Sequence, residues 1–465
     1  MRTFAWTAVA LAHLLAWSGR CAAGADWPQF RGPGRDGISP ETGLARSWPE
    51  GGPPLLVTLS GLGEGWSSPV IAGGRVFVTG TRSAYLFVFC FDLSGQPVWR
   101  VPCGRAYEGA YPGARSTPTV RDGRLYVLSG KGLLTALETD AGRKAWMVDI
   151  FDRFRAHPPR FGVAESVLVL GDRVICTPGG KDATLAALDA GTGRTVWTTR
   201  GLDDGAGHAS AVAVTWGGSR QVITLTHKGL VGVRPEDGSL LWRHAKGFGW
   251  FFPEHVMTPV FHDGYVFAEG GHRSGGVCVR LAREGDGFAA REVWKKPVHA
   301  THTGGYVERG GYLYGGTGRG WGCIDMTTGQ VRWKEPVIRR AATLWADSRF
   351  YCVGEKGTVF LAAAGPEECT VVGRVEIPNA GSQTWAYPAI SGGRLYVRRK
   401  DQVHVYDVSG QEASGREGRD ARCHSDRGPK GRAEESRREG RAANSDCGLR
   451  IDGNNGRAAS QRGAD

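Results

Sequence analysis

The stretch Ser116 to Trp146, STPTVRDGRLYVLSGKGLLTALETDAGRKAW, constrains the fold more than any other part of the chain. Alternating apolar residues lead to Asp122-Gly123, a strong two-residue hairpin signal. A second run, Arg124 to Leu128, ends at Ser129-Gly130-Lys131-Gly132, and a third, Leu133 to Leu137, ends at Asp140-Ala141-Gly142. A short last run carries Trp146. The pattern predicts four antiparallel strands of about five residues each. One such sheet has two open edges and cannot bury both of its faces, so it requires copies of itself.

The copies are in the chain. The phrase of the first hairpin recurs eight times, from AGGRVFV (72–78) through RDGRLYV (121–127) to SGGRLYV (391–397). A Gly four residues before a Trp recurs at Trp99, Trp146, Trp197, Trp242 and Trp333, and a fifth unit reaches Trp294 after a longer turn. A period of about forty residues is that of four-stranded propeller blades. The expected fold is therefore all-β, an eight-bladed β-propeller of four-stranded antiparallel blades. The blades are expected at 66–103, 116–150, 162–200, 207–245, 256–298, 302–337, 341–377 and 384–408. The last unit has only three strands of its own, and Leu55–Leu59 is the segment expected to complete it and close the ring. Blade seven lacks the Trp, with Val371-Val372 near its place. A chain of 465 residues ordinarily suggests several domains, but a propeller spends that length on one body.

Four segments follow. Residues 1–25 resemble a secretory signal: Arg2, an apolar run from Phe4 to Trp17 too short to span a bilayer, then Ala23-Gly24-Ala25 as a cleavage site. Residues 26–54 are a Gly- and Pro-rich arm with Trp27, Phe30 and Trp48, either a brace over the propeller or a binding loop at its mouth, with the brace favoured. Residues 55–410 are the propeller. Residues 411–465 are a low-complexity tail expected to be disordered, because Leu449 and Ile451 are its only large apolar residues. Twelve Lys/Arg against ten Asp/Glu leave that tail a net charge of only +2, which argues against a nucleic-acid tail. The formal charge of the whole chain is +12, with its arginines dispersed among the hairpins, so a solvated surface is the reading rather than a nucleic-acid face. No later stretch is apolar enough for a transmembrane span, and the product is expected to be secreted or periplasmic.

The repeats resemble the pyrroloquinoline-quinone-like, or quinoprotein-type, β-propeller family. Its outer-strand turn, Asp-x-x-Thr-Gly-x-x-x-Trp, stands here as DAGTGRTVW (189–197) and DMTTGQVRW (325–333), with looser forms in three other blades. The resemblance covers about residues 55–410, and the opening DWPQFRGP (26–33) is similar to that of exported propellers of this kind. It implies that each outer-strand Trp docks on the neighbouring blade. It also implies one of two function classes: quinone-dependent alcohol or sugar dehydrogenases, or non-catalytic scaffolds of the outer membrane. The larger dehydrogenases carry two adjacent cysteines near the cofactor, and this chain has neither a Cys-Cys pair nor a Cys-x-x-Cys-His haem motif. No cofactor is assigned from the residues; pyrroloquinoline quinone with calcium is implied by the resemblance alone.

Candidate ligand-binding residues come from the geometry of a propeller, whose first strands line the central channel. Polar residues at the starts of those strands converge on one mouth. His208, His255 and His302 stand there in three successive blades, 47 residues apart each time. Arg115 opens blade two at the same level, and Glu165 of blade three is a weaker addition. Such a set could bind a transition metal, hold an anion or assist proton transfer; equally, the histidines could satisfy backbone groups around a water-filled channel. No catalytic residue and no metal set is assigned. Trp66, Trp345, Trp385 and Tyr387 lie near first-strand starts and are expected to pack rather than to stack on a ligand. The leading expectation is a non-catalytic binding or scaffold protein in or outside the cell envelope, with protein or envelope partners. A quinoprotein-like oxidoreductase and a metal- or glycan-binding propeller are the alternatives, with a small molecule at the channel mouth in either.

Overall fold

The computed structural model describes residues 25–246, 248, 255–270, 275–298, 305–318, 320–378 and 383–410. The expected signal segment, the tail and His302 lie outside the described residues.

The strands form eight four-stranded antiparallel sheets. Blade one runs from Val70–Ala72 to Pro97–Arg105, blade two from Thr119–Arg121 to Lys144–Asp149, and blade three from Leu168–Leu170 to Thr195–Thr198. Blade four runs from Val212–Trp216 to Leu240–His244, and blade five from Val260–His262 to Gly287–Lys296. Blade six runs from Val307–Arg309 to Val331–Glu335, and blade seven from Ala341–Ala346 to Cys369–Glu376. Blade eight holds Ala389–Ser391, Arg394–Arg399 and Gln402–Asp407, and its fourth strand is Leu55–Leu59. That strand pairs antiparallel with Gln402–Asp407, Leu59 opposite Val403 and Thr58 opposite His404. The seam to blade one carries Arg398, whose guanidinium donates to Ser67 Oγ at 2.6 Å and to the Thr79 carbonyl at 2.5 Å.

Neighbouring blades are locked by their outer strands. Trp99 donates its indole N–H to the Thr139 carbonyl of the next blade, Trp146 to Ala190, Trp197 to Pro235, Trp294 to Met326 and Trp333 to Gly365, all at 2.8–3.0 Å. Four of these indoles also lie flat on a turn glycine of the next blade: Trp99 on Gly142, Trp146 on Gly193, Trp197 on Gly238 and Trp294 on Gly329. Trp242 behaves differently because blade five lacks that turn. Blade five joins Gly275–Glu284 to Gly287–Lys296 by a tight hairpin, and Trp242 instead donates to Gln221 within its own blade at 2.7 Å. Blade seven has no outer-strand Trp, and Trp48 of the arm packs there, its backbone N–H on the Val372 carbonyl and its ring against Tyr351.

The arm reaches six blades. Trp27 exchanges two backbone bonds with Ile71 of blade one, and the Pro28 carbonyl accepts from Val120 of blade two. Arg35 donates to the Ser166 and Val167 carbonyls of blade three at 2.6 and 3.0 Å. Arg31, four residues earlier, reaches the Tyr306 carbonyl of blade six at 2.5 Å and Tyr387 of blade eight. Ser39 and Gly37 bond Trp345 of blade seven. Both arginines are almost fully buried, and all of these contacts but the one to the Tyr387 hydroxyl use backbone groups of the blades.

The indole-on-glycine contact is testable. Trp197→Ala is expected to cost on the order of 3–5 kcal/mol. At Gly238 φ is +73° and an added Cβ would stand 2.4 Å from the Trp197 ring, whereas Gly51, with φ +94°, has open space around it. Chemical denaturation of Trp197→Ala, Gly238→Ala and Gly51→Ala checks this: Gly238→Ala should lose clearly more stability than Gly51→Ala, and equal losses would show that the contact does not hold the blades together.

Candidate functional site

The register of the first strands determines which side chains enter the hub. In six blades a first-strand residue pairs with a residue of the second strand: Val70 with Phe77, Thr119 with Tyr126, Leu168 with Ile175, Val212 with Ile223, Val260 with Phe267 and Ala389 with Tyr396. Two residues before each stand Ser68, Thr117, Ser166, Ser210, Thr258 and Tyr387. These form a belt running from blade to blade. The N–H of Tyr387 donates to Ser68 Oγ at 3.0 Å, that of Ser68 to Thr117 Oγ1 at 2.9 Å, that of Thr117 to Ser166 Oγ at 2.9 Å and that of Ser166 to Ser210 Oγ at 3.0 Å.

Four residues before the paired position stand Trp66, Arg115, Ala164, His208, Val256 and Trp385. Side chains two apart on a strand share a face, so this row lies directly above the belt. Together the two rows, Thr258 apart, line a cavity of about 370 Å³ at the hub. Phe30 of the arm and Tyr387 meet edge to face beside it, ring centroids 5.2 Å apart. One wall is aromatic: Trp66 and Trp385 lie 4.6 Å apart, and Tyr111 is 5.1 Å from Trp385. The lining continues through Arg115, Phe161 and His208.

Arg115 is held by loop carbonyls. Its guanidinium donates to Phe161, to Ala110 at 2.8 Å and to Tyr111 at 2.6 Å, and it lies 4.6 Å over the Tyr107 ring. Burial lowers its pKa from the usual arginine value, yet it remains a cation at any ordinary pH. Among the described residues no carboxylate pairs with it. His208 is 7% exposed, and its Nδ1 is buried without a partner. Burial, with the Arg115 charge second, pulls its pKa down to about 3, so the ring is neutral near pH 7.

The other candidates stand elsewhere. Glu165 is one residue out of step with the row above the belt, and the alternation of a strand turns its side chain into the blade. There it accepts from the Thr177 N–H at 2.9 Å and the Thr177 hydroxyl at 3.0 Å, and burial pushes its pKa up to about 7. His255 stands 47 residues after His208, but its neighbour Val256 takes the place on the cavity, and His255, fully buried, bonds the His227 carbonyl at 3.2 Å. Its backbone carbonyl accepts from the His208 N–H at 2.9 Å. Burial lowers its pKa to about 4. Of the described candidates, Arg115 and His208 share the cavity; Glu165 and His255 do not line it. Trp345 packs under Arg309, 4.0 Å from the guanidinium.

Two parts of the site escape a search for large polar residues. The belt hydroxyls carry a signal, a Ser or Thr two places before five of the six paired residues, legible once the blades are aligned. Tyr111 and Phe161 belong to loops between blades and follow no repeat.

A β-propeller with a lined hub cavity defines the class of protein. Within it, the family model described as outer membrane protein assembly factor BamB matches residues 44–150 and 87–335. The chain belongs to this pyrroloquinoline-quinone-like β-propeller family. A curated relative, the quinoprotein alcohol dehydrogenase PedH of Pseudomonas putida, is 26% identical over 221 residues, 46% of this chain and 33% of the enzyme. The quinoprotein ethanol dehydrogenase of Pseudomonas aeruginosa is 29% identical over 119 residues, 26% of this chain and 18% of that enzyme. The chain thus matches a third or less of the length of either. Among solved structures, BamB from Moraxella catarrhalis aligns with a TM-score of 0.56 at 15% identity, over 77% of this chain and 98% of that one. The quinohemoprotein alcohol dehydrogenase of Comamonas testosteroni aligns with a TM-score of 0.56 at 12% identity, over 85% and 82%. Both likenesses concern the fold alone.

The family implies a quinone held with a calcium ion, and the donor set tests that fit. Calcium takes six to eight oxygen ligands, carboxylates prominent among them. Among the described residues the cavity lining contains no Asp or Glu, and no group of three His, Cys, Asp or Glu side chains is arranged to hold a metal. Glu165, the nearest carboxylate in sequence to the lining, spends both oxygens on Thr177. The described residues do not fit a calcium-linked quinone.

Glu165 supplies a pH signature. Its folded pKa, about 7, lies above the ordinary glutamate value because burial outweighs the pull of Thr177 and of the Arg35 charge. The folded state therefore keeps a proton that the unfolded chain releases, and stability from this group falls as pH rises from about 4.5 to about 7. Glu165→Gln is expected to gain melting temperature relative to the native chain as pH is raised from about 5 to about 8. A constant difference across that range would show that Glu165 is ionised throughout.

Proposed function

We propose that the protein is an exported, non-catalytic binding propeller of the cell envelope, and that the hub cavity is where its partner or ligand seats. The observation that carries this reading is the protonation chemistry of the cavity. Arg115 is a fixed cation, His208 is a poor proton acceptor with a pKa drawn down to about 3, and no carboxylate among the described residues faces the space. A general base is most effective with a pKa near the working pH, and these groups offer none. The belt hydroxyls hold the ring together and are not paired with a base. The BamB-like family membership supports protein partners for such a body, engaged at the blade loops around the mouth. No helix among the described residues is long and apolar enough to cross a membrane. Export rests on the composition of residues 1–25.

A quinone-dependent oxidoreductase is the second reading, favoured by the names of the two curated relatives. The two readings part in a direct assay. The purified protein is mixed with pyrroloquinoline quinone, calcium, a panel of alcohols and sugars, and a dye acceptor. No turnover above the protein-free control is expected. Turnover that is lost in Arg115→Gln would overturn the binding reading and locate an active centre in this cavity.

A further inference from the structure

The hydrogen-bond inventory of the cavity is one-sided. Each belt hydroxyl, Ser68, Thr117, Ser166 and Ser210, already accepts a backbone N–H from the preceding blade, and none donates its own proton to any described group. All four line the cavity. An O–H whose oxygen is committed as an acceptor has its proton left to give. Arg115 has five N–H groups and spends three on loop carbonyls, which leaves its Nε–H and one Nη1–H. His208, more than nine-tenths buried, has a partnerless Nδ1. Further out, Lys131 lies 5.8 Å over the Tyr107 ring on which Arg115 also stacks, and Arg160 lies 5.3 Å over Phe161. The cavity thus offers many donors, one fixed positive charge and a basic rim, against an aromatic wall of Trp66, Trp385 and Tyr111.

From this we infer that the cavity is a metal-independent receptor for a small organic anion, a carboxylate on a flat apolar body, seated with its charged end on Arg115 and the belt hydroxyls. The inference rests on the binding reading above and names the ligand class for the same site. Charge-assisted bonds from a guanidinium are the strong kind, and loss of one of them in a partly buried site weakens binding by about tenfold or more. The volume is that of a small-molecule site, and aromatic side chains together with a few placed polar groups are the usual lining of one. A divalent cation would add charge to a space already positive and would find no described carboxylate to hold it.

The test uses the full chain, isothermal titration calorimetry and buffer containing EDTA. The probes are 2-naphthoate and its neutral isostere 2-naphthamide. Naphthoate should bind about tenfold or more tighter than the amide, and that preference should vanish in Arg115→Gln. Ala164→Phe, which fills the space from the row above the belt without removing a donor, should abolish binding of both. Equal affinity for acid and amide, naphthoate binding that needs added calcium, or unchanged binding in Ala164→Phe would each overturn the inference. Should Arg115→Gln unfold because its loop carbonyls are released, the acid-to-amide ratio on the native chain and the Ala164→Phe result still decide. Absence of naphthoate binding together with absence of turnover would sink only the ligand class; turnover in the dye assay would sink the binding reading itself.

Discussion

A four-stranded sheet with two apolar faces has no way to hide both by itself, and every feature of this molecule follows from how the faces are covered. The cover is the next blade. Its most specific element is an indole lying on a glycine of the neighbouring turn, with the indole N–H satisfied by a carbonyl of that turn. Any side chain at the glycine would hold the two sheets apart, and any polar ring lacking the N–H would leave the carbonyl unpaired. Where the receiving turn is missing, at blade five, Trp242 withdraws to Gln221; where the Trp is missing, at blade seven, the arm supplies Trp48. The lock is conserved as physics even where the motif is broken.

At the hub the same problem takes a polar form. First strands have inner edges with no further strand to pair with, and their N–H groups would be buried without partners. The hydroxyl belt answers this from one blade to the next, and the arm answers it from outside with backbone groups and two buried guanidinia. Both solutions are asymmetric in a way that matters. Hydroxyls used as acceptors keep protons to donate, and arginines used as donors bring charge. A hub closed by such means is predisposed to attract electron-rich groups at its open end.

The repeats made the blades legible because hairpin turns and outer-strand Trp positions are local, and each recurs often enough to outweigh any single departure. The site was legible only in part. Arg115 and His208 stand on the cavity because they are in register with the strand pairing. Glu165 and His255 fall beside them in sequence but one residue out of phase, and in an extended chain one residue reverses the side chain. Equal spacing of 47 residues between histidines is a poor guide, because Val256 rather than His255 takes the place on the cavity. The alignment that works is the one made by the belt bonds from blade to blade, which only the folded chain reveals. Arg31 and Arg35 were invisible as hub residues, since nothing in a Gly- and Pro-rich arm says which of its cations will be buried.

Those two arginines carry the arm's longest reach. Arg31 spans to blades six and eight and Arg35 to blade three, so the loop between them bridges those three blades. Both residues adopt positive φ, 61° and 56°, a backbone conformation held only where the surroundings determine it. Here the surroundings are carbonyls of blades three and six and the Tyr387 hydroxyl of blade eight. The arm therefore ties distant blades to a common point. The belt donors line a space of limited volume, where a guanidinium without a carboxylate partner among the described residues has most effect. Burial sets both the depressed basicity of His208, on the cavity, and the raised pKa of Glu165, turned into the blade.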